Sequence, residues 1–152
     1  MRKYNNLLIL VFIFLVNCSY KPILSSTETS FSINKIEFSK TNKINSKLKK
    51  QLSIYQKNKS KSKFYDLFID MSKDKAVSLR DTAGDPKIFK ITISVSIDVS
   101  ENNNNIGNKI FKEDFSYSNN KNKFDLNRYE KNIENNIIEK LAEKIISYLH
   151  SV

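Results

Sequence analysis

Only one cysteine and one histidine occur among the 152 residues, Cys18 and His150. A disulfide needs a second thiol and a Cys/His zinc site needs more ligands than these, so both are excluded. A Ser-His-Asp triad would have to rely on His150, close to a fraying chain end and a poor base. Asp66 and Asp70 share a strand face but have no further metal-ligand company. The expectation is therefore a protein that is not an enzyme and that holds no metal and no cofactor. Long apolar runs are missing as well. The longest, Leu7 to Val16 (LLILVFIFLV), is half the roughly 20 residues that a membrane-spanning helix requires. With 28% charged residues the chain is too polar for a multispan membrane protein, and with 39% apolar residues it is too apolar for a disordered tail. Its length suits one domain.

Acidic residues are the minority, 16 against 26 basic, for a formal charge of +10. Lysine outnumbers arginine 23 to 3, beside abundant Asn and Ile. An A/T-rich codon bias produces that pattern, so part of the excess carries no function. What remains favours anionic partners such as lipid headgroups or lipopolysaccharide. Nucleic acid also fits the charge, but no recognition motif is present and the N-terminus points to export. Arg2 and Lys3, the apolar run and Asn17-Cys18 form the layout of a secretory signal peptide over residues 1–17. Leu15-Val16-Asn17-Cys18 resembles a bacterial lipobox, with Asn17 where that motif has Gly, Ala or Ser. Lipidation of Cys18 would anchor the chain to a membrane, since each buried CH₂ contributes about 0.8 kcal/mol and two or three chains hold firmly. Residues 18–30, rich in Ser and Thr, read as a tether, and residues 31–152 as one domain.

Hydrophobic periods divide that domain. Phe31 to Ser39 alternates as a strand, with a parity slip between Ile33 and Ile36 that a bulge would explain. Over Thr41 to Asn58, Ile44, Leu48, Leu52 and Tyr55 form a helical stripe, with Lys43, Lys47, Lys50 and Lys57 on the solvated back. Tyr65, Leu67, Ile69 and Met71 hold one strand parity that returns at Val77 and Leu79, so one long strand interrupted by Lys73 and Lys75, or two short ones, fits. After a turn at Thr82–Pro86, Phe89 to Val99 alternates without a miss, the mark of a sheet covered on one side. Glu101 to Asn108 reads as an Asn-rich loop in which Gly107 suits a hairpin, with the run of asparagines owing more to codon bias than to turn geometry. Ile110 to Tyr117 returns as a strand, with Glu113 out of character. Asn119 to Phe124 reads as a link, and Asn127 with Glu130 resembles a capping box for a helix from Arg128 to about Ser147. The order β-α-β-β-β-α predicts an α+β two-layer sandwich: about four strands, mainly antiparallel, with two helices on one face.

Arginine is the informative cation because composition disfavours it. Arg80 beside the Gly84-Asp85-Pro86 turn, with Lys87 and Lys90 near, is the candidate site for lipopolysaccharide phosphates; pairing of Arg80 with Asp81 or Asp85 is the simpler alternative. The border Cys18-Ser19-Tyr20-Lys21-Pro22, the turn Arg80 to Pro86 leading into the alternating strand, Asn127-Arg128-Tyr129, and Leu141-Ala142-Glu143-Lys144-Ile145 resemble the lipopolysaccharide-assembly lipoprotein family LptE. The resemblance follows element order and length over nearly the whole chain. It implies a lipoprotein on the periplasmic side of the outer membrane that plugs an LptD-type β-barrel, supports barrel assembly, and contacts lipopolysaccharide during its insertion into the outer leaflet. An auxiliary lipoprotein of a lipid-trafficking ABC transport system would share the anchor, the size and the fold class.

Overall fold

A computed structural model describes residues 29–56 and 61–152, so the leader, Cys18 and nearly all of the tether lie outside the described residues. In chain order the elements are β1 (Phe31–Phe38), α1 (Lys43–Leu52) with a 3₁₀ turn at Ser53–Gln56, β2 (Lys63–Arg80), β3 (Pro86–Glu101), β4 (Asn104–Ser118) and α2 (Lys123–Leu149). The strands form one sheet in the order β1-β2-β3-β4. β1 runs parallel to β2 because the connection through α1 carries the chain back to its start, and the two later pairs are antiparallel. The expected α+β architecture and element order are those observed.

Local chemistry explains most element borders. The slip in β1 is a bulge, where the register against β2 shifts between Ile33 and Lys35. Asn42 caps α1 by accepting from the Asn45 amide at 2.8 Å. β2 is one uninterrupted strand of 18 residues. Lys73 and Lys75 stay in phase with the buried residues because each ammonium finds a carboxylate on α2 rather than apolar cover. The Asn-rich segment is no loop. Asn102 and Asn103 alone make the turn, both at positive φ (51° and 65°), a conformation that Asn tolerates better than most side chains. Turn geometry thus accounts for two of the asparagines, and Gly107 sits inside β4 opposite Val99. The last helix begins at Lys123, five residues before the expected start, because Asn122 supplies the cap and accepts from Phe124 and Asp125 amides at 3.0 and 3.3 Å. Glu130, read as half of a capping box, has other work.

One side of the sheet makes the core. Ile91, Ile93, Val95, Ile97 and Val99 of β3 are fully buried against Leu48 and Leu52 of α1 and the row Ile133, Ile137, Leu141, Ile145 and Leu149 of α2. Each such side chain contributes about 1.5–3 kcal/mol on leaving water, so β3 alone outweighs any single polar contact. Three carboxylates of α2 or its neighbours then fasten the layers. Glu134 accepts from Lys47 of α1 at 2.7 Å and from Lys73 of β2 at 2.6 Å, which takes Lys47 off the solvated helix back. Glu130 binds Lys75 at 2.6 Å and the Tyr117 hydroxyl at 2.7 Å. Glu113 of β4 is held by Lys140, at 2.7 Å, and Lys144 of α2, which explains a carboxylate on the helix side of a strand.

Candidate functional site

Past Met71 every residue of β2 is exposed, and beyond Lys75, which pairs with the buried Ile91, the β2–β3 hairpin leaves the core as a projecting tip. The tip turn is closed by Asp81, whose carboxylate accepts from the amides of Ala83 at 3.0 Å and Asp85 at 2.9 Å, while Gly84 takes φ +87°. Arg80 donates to the Gly84 carbonyl at 2.9 Å rather than pairing with either neighbouring aspartate. Its charge stays available beside the turn. Lys87 is the extra residue at the bulge where Leu79 and Arg80 face Ile88 and Pro86. Lys90 lies lower on β3 and pairs with Asp114 of β4 at 3.1 Å, so part of its charge is already answered. The three expected cations therefore share one end of the sheet. Arg80 and Lys87 have no carboxylate partner among the described residues, and Lys90 has one.

Several groups at this end escape a reading by residue type. Val77 continues the buried parity past the core, whereas a bulge at Ser78 pairs Leu79 with Ile88 and shifts it out of that row; the two are 36% and 47% exposed. Phe89, Tyr117 and Tyr129 form a chain of rings with centroids 5.8 and 6.1 Å apart, and the Lys75 ammonium lies 4.5 Å over Phe89. Burial and the Glu130 hydrogen bond both raise the Tyr117 pKa, so its hydroxyl is a firm donor. Glu130 in turn is lowered: burial alone would raise it, but the hydrogen bonds from Lys75 and Tyr117 outweigh that. Beside the rings a cleft of about 520 Å³ is lined by Ser118, Asn119, Asn120, Lys121, Leu126 and Tyr129. Asn119 ties the cleft to the tip, donating its amide to the Lys87 carbonyl at 2.9 Å and its side chain to the Pro86 carbonyl at 2.8 Å. The signal in the sequence was the return of apolar parity at Val77 and Leu79 after two lysines, where no core remains to be covered.

The chemistry on offer is amphiphilic. Free cations at Arg80, Lys87 and Lys121 adjoin exposed aliphatic and aromatic surface, an arrangement suited to a ligand with anionic and apolar parts. No group of three or more His, Cys, Asp and Glu residues that could hold a metal occurs among the described residues. His150 ends α2 with its ring 5.0 Å from that of Phe31, in an edge-on packing contact.

No family model matches the chain, and no curated protein matches it in sequence. Solved structures do match. The rare lipoprotein B from Shewanella oneidensis superposes with a TM-score of 0.58 at 10% identity, covering 78% of this chain and 95% of that one. A minor lipoprotein from Acinetobacter baumannii gives 0.59 at 16% identity, with 79% and 91% covered. A lipoprotein structure from Caulobacter crescentus gives 0.53 at 12% identity, with 76% and 88% covered. At these identities the shared property is the fold, and it extends over almost the full length of each lipoprotein.

Proposed function

We propose that the chain is an outer-membrane lipoprotein of the LptE kind, anchored through Cys18, that plugs and helps assemble an LptD-type β-barrel and presents its hairpin tip to lipopolysaccharide. The observation that carries this reading is the conjunction of a whole-domain likeness to solved lipoproteins with a single cysteine at the end of a signal-like leader. In this reading Arg80 and Lys87 take phosphates through charge-assisted hydrogen bonds, Lys90 adds less because Asp114 competes for it, and Val77, Leu79 and Tyr129 meet the apolar part of the ligand. The protein performs no bond-making chemistry; it binds, positions and supports a partner.

Three measurements test the proposal. Cys18→Ala should abolish incorporation of an alkyne fatty acid, and unchanged label would defeat the anchor. Depleting the chain should lower the amount of correctly assembled barrel and raise permeability to large apolar antibiotics, whereas an auxiliary transporter lipoprotein would leave the barrel intact. Arg80→Asp with Lys87→Asp should weaken lipopolysaccharide binding at least about tenfold, or ~1.4 kcal/mol. Raised salt should weaken the wild type in the same direction. Affinity indifferent to both changes would reject the tip as the site.

A further inference from the structure

The side of the sheet away from the helices has no cover among the described residues, and its composition departs from that of the chain. Cross-strand rows on this side read Phe68–Asp98–Asn108, Asp70–Ser96–Ile110, Ser72–Ser94–Lys112 and Asp74–Thr92–Asp114. With Glu37, Asp66 and the lysines at 35 and 90 included, the face carries six acids against three lysines, a net of minus three on a chain whose total is +10. This face is thus acidic on balance, and the basic excess lies on the rest of the chain. Codon bias toward lysine works against such a face, so composition does not explain it.

A polar face turned to water needs no partner. Two further observations separate this one from that ordinary case. Large apolar side chains stand in its midst: Phe68 is 47% and Ile110 71% exposed, in adjacent rows, ringed by Asp70, Ser96 and Asp98. Asp74 and Asp98 have no hydrogen-bond or ion-pair partner among the described residues, although lysine is the commonest charged residue in the chain. Lys112 on the same face is also without a carboxylate partner, but the face as a whole stays acidic. Exposed apolar anchors within a ring of polar groups, on a face of net negative charge, are the anatomy of a protein-docking face rather than of a lipid site. An anionic lipid surface is excluded by repulsion, and a second copy meeting face to face would oppose acid with acid.

We propose that this open sheet face docks a partner protein through a cation-rich, polar surface, with Phe68 and Ile110 as anchors and the aspartates fixing register and choice of partner. The inference rests on the barrel-plug reading only for the partner's identity; in that reading this face turns toward arginines and lysines of the barrel wall, while the tip is left for lipopolysaccharide.

The test uses the full-length chain expressed in its own host. A photo-crosslinking amino acid is placed at Ser94, in the middle of the face, and in a separate strain at Lys131, on the exposed side of α2. The expected result is an adduct from Ser94, absent from Lys131, whose captured partner peptide contains Arg or Lys. That adduct should fall at least tenfold with Asp74→Lys plus Asp98→Lys, and also with Phe68→Ser, which removes an anchor without adding charge and serves if the double reversal fails to fold. No adduct from Ser94, an adduct indifferent to both variants, or one made only with lipid or a second copy overturns the proposal. A barrel captured from Lys131 alone leaves the plug reading standing and rejects this face. A basic partner that is not a barrel, captured from Ser94 and lost in the variants, upholds the face and rejects the plug.

Discussion

Replacing Gly107 by Ala tests the packing of β4 against α2 with a built-in rescue. A Cβ added at this position would run into the Tyr148 Oη, closer than non-bonded atoms approach, while the next atoms, Tyr148 Cζ and Val152 Cγ1, are at an ordinary 3.6 Å. The Tyr148 ring cannot swing away freely because it packs edge-on against Phe111 at 6.0 Å. The position has no backbone objection to a side chain, and alanine in a strand gains about 0.5–1 kcal/mol over glycine. Overpacking costs about 1–3 kcal/mol, so Gly107→Ala should lose about 1 kcal/mol net. Tyr148→Phe removes only a long bond from the hydroxyl to the Asn108 carbonyl, 3.4 Å, and should cost at most about 0.5 kcal/mol. With the hydroxyl gone the new methyl fits, so the double variant should match or exceed the wild type. The coupling should be about 1.5 kcal/mol, measured by urea unfolding of all four proteins. A double variant whose loss is the sum of the single losses would show that the hydroxyl is not what glycine makes room for.

Two further outcomes follow from the core and its carboxylates. Ile93→Asp should cost about 4 kcal/mol or more, because Ile93 is fully buried and the new charge would have no partner, whereas Ser94→Asp should stay within about 0.5 kcal/mol; equal melting temperatures would mean the faces of β3 are reversed. The Glu113 carboxyl is held low by hydrogen bonds from Lys140 and Lys144. In Glu134, burial works upward and is outweighed by Lys47 and Lys73. Folding therefore releases protons from these groups, and their contribution is complete above the unfolded carboxylate value of about 4.3 and is lost as pH falls below it. The melting temperature should hold from pH 7 to about 5 and drop below about 4, less steeply in Glu134→Gln; an equal acid slope in that variant would remove Glu134 from the cause.

β3 was legible because six apolar side chains at strict alternate positions admit one reading, and the main row of α2 because Ile133, Ile137, Leu141, Ile145 and Leu149 keep helical spacing. The misreadings lie where one residue type serves two purposes. Asn is common throughout the chain, so the cap at Asn122 and the turn at Asn102 and Asn103 had no contrast with their surroundings. Lys73, Lys75 and Glu113 broke the apolar pattern while standing on the helix side, because their charges are met by partners 27 to 61 residues away, which no local window contains. Arg80 and Lys87 were singled out by composition, but the exposed Val77 and Leu79 beside them gained meaning only once the limit of the core was known.

The placement of the chain ends has a mechanical consequence. Phe31 pairs with Lys63, its ring meets His150, and the Lys63 ammonium bonds the Val152 carbonyl at 2.9 Å, so both ends of the domain meet at the foot of β2. The turn at Asp81 to Asp85 crowns the other end of the same strand. At about 3.3 Å per residue, the 18 residues of β2 form a boom roughly 60 Å long. A chain held from its N-terminal side is thus gripped at the heel, and a tilt of roughly 10° there sweeps the far end through about 10 Å over that length. Aim at the far end accordingly comes from whatever steadies the broad flank of the sheet, and a loose heel would cost the tip its target before any residue at the tip was altered.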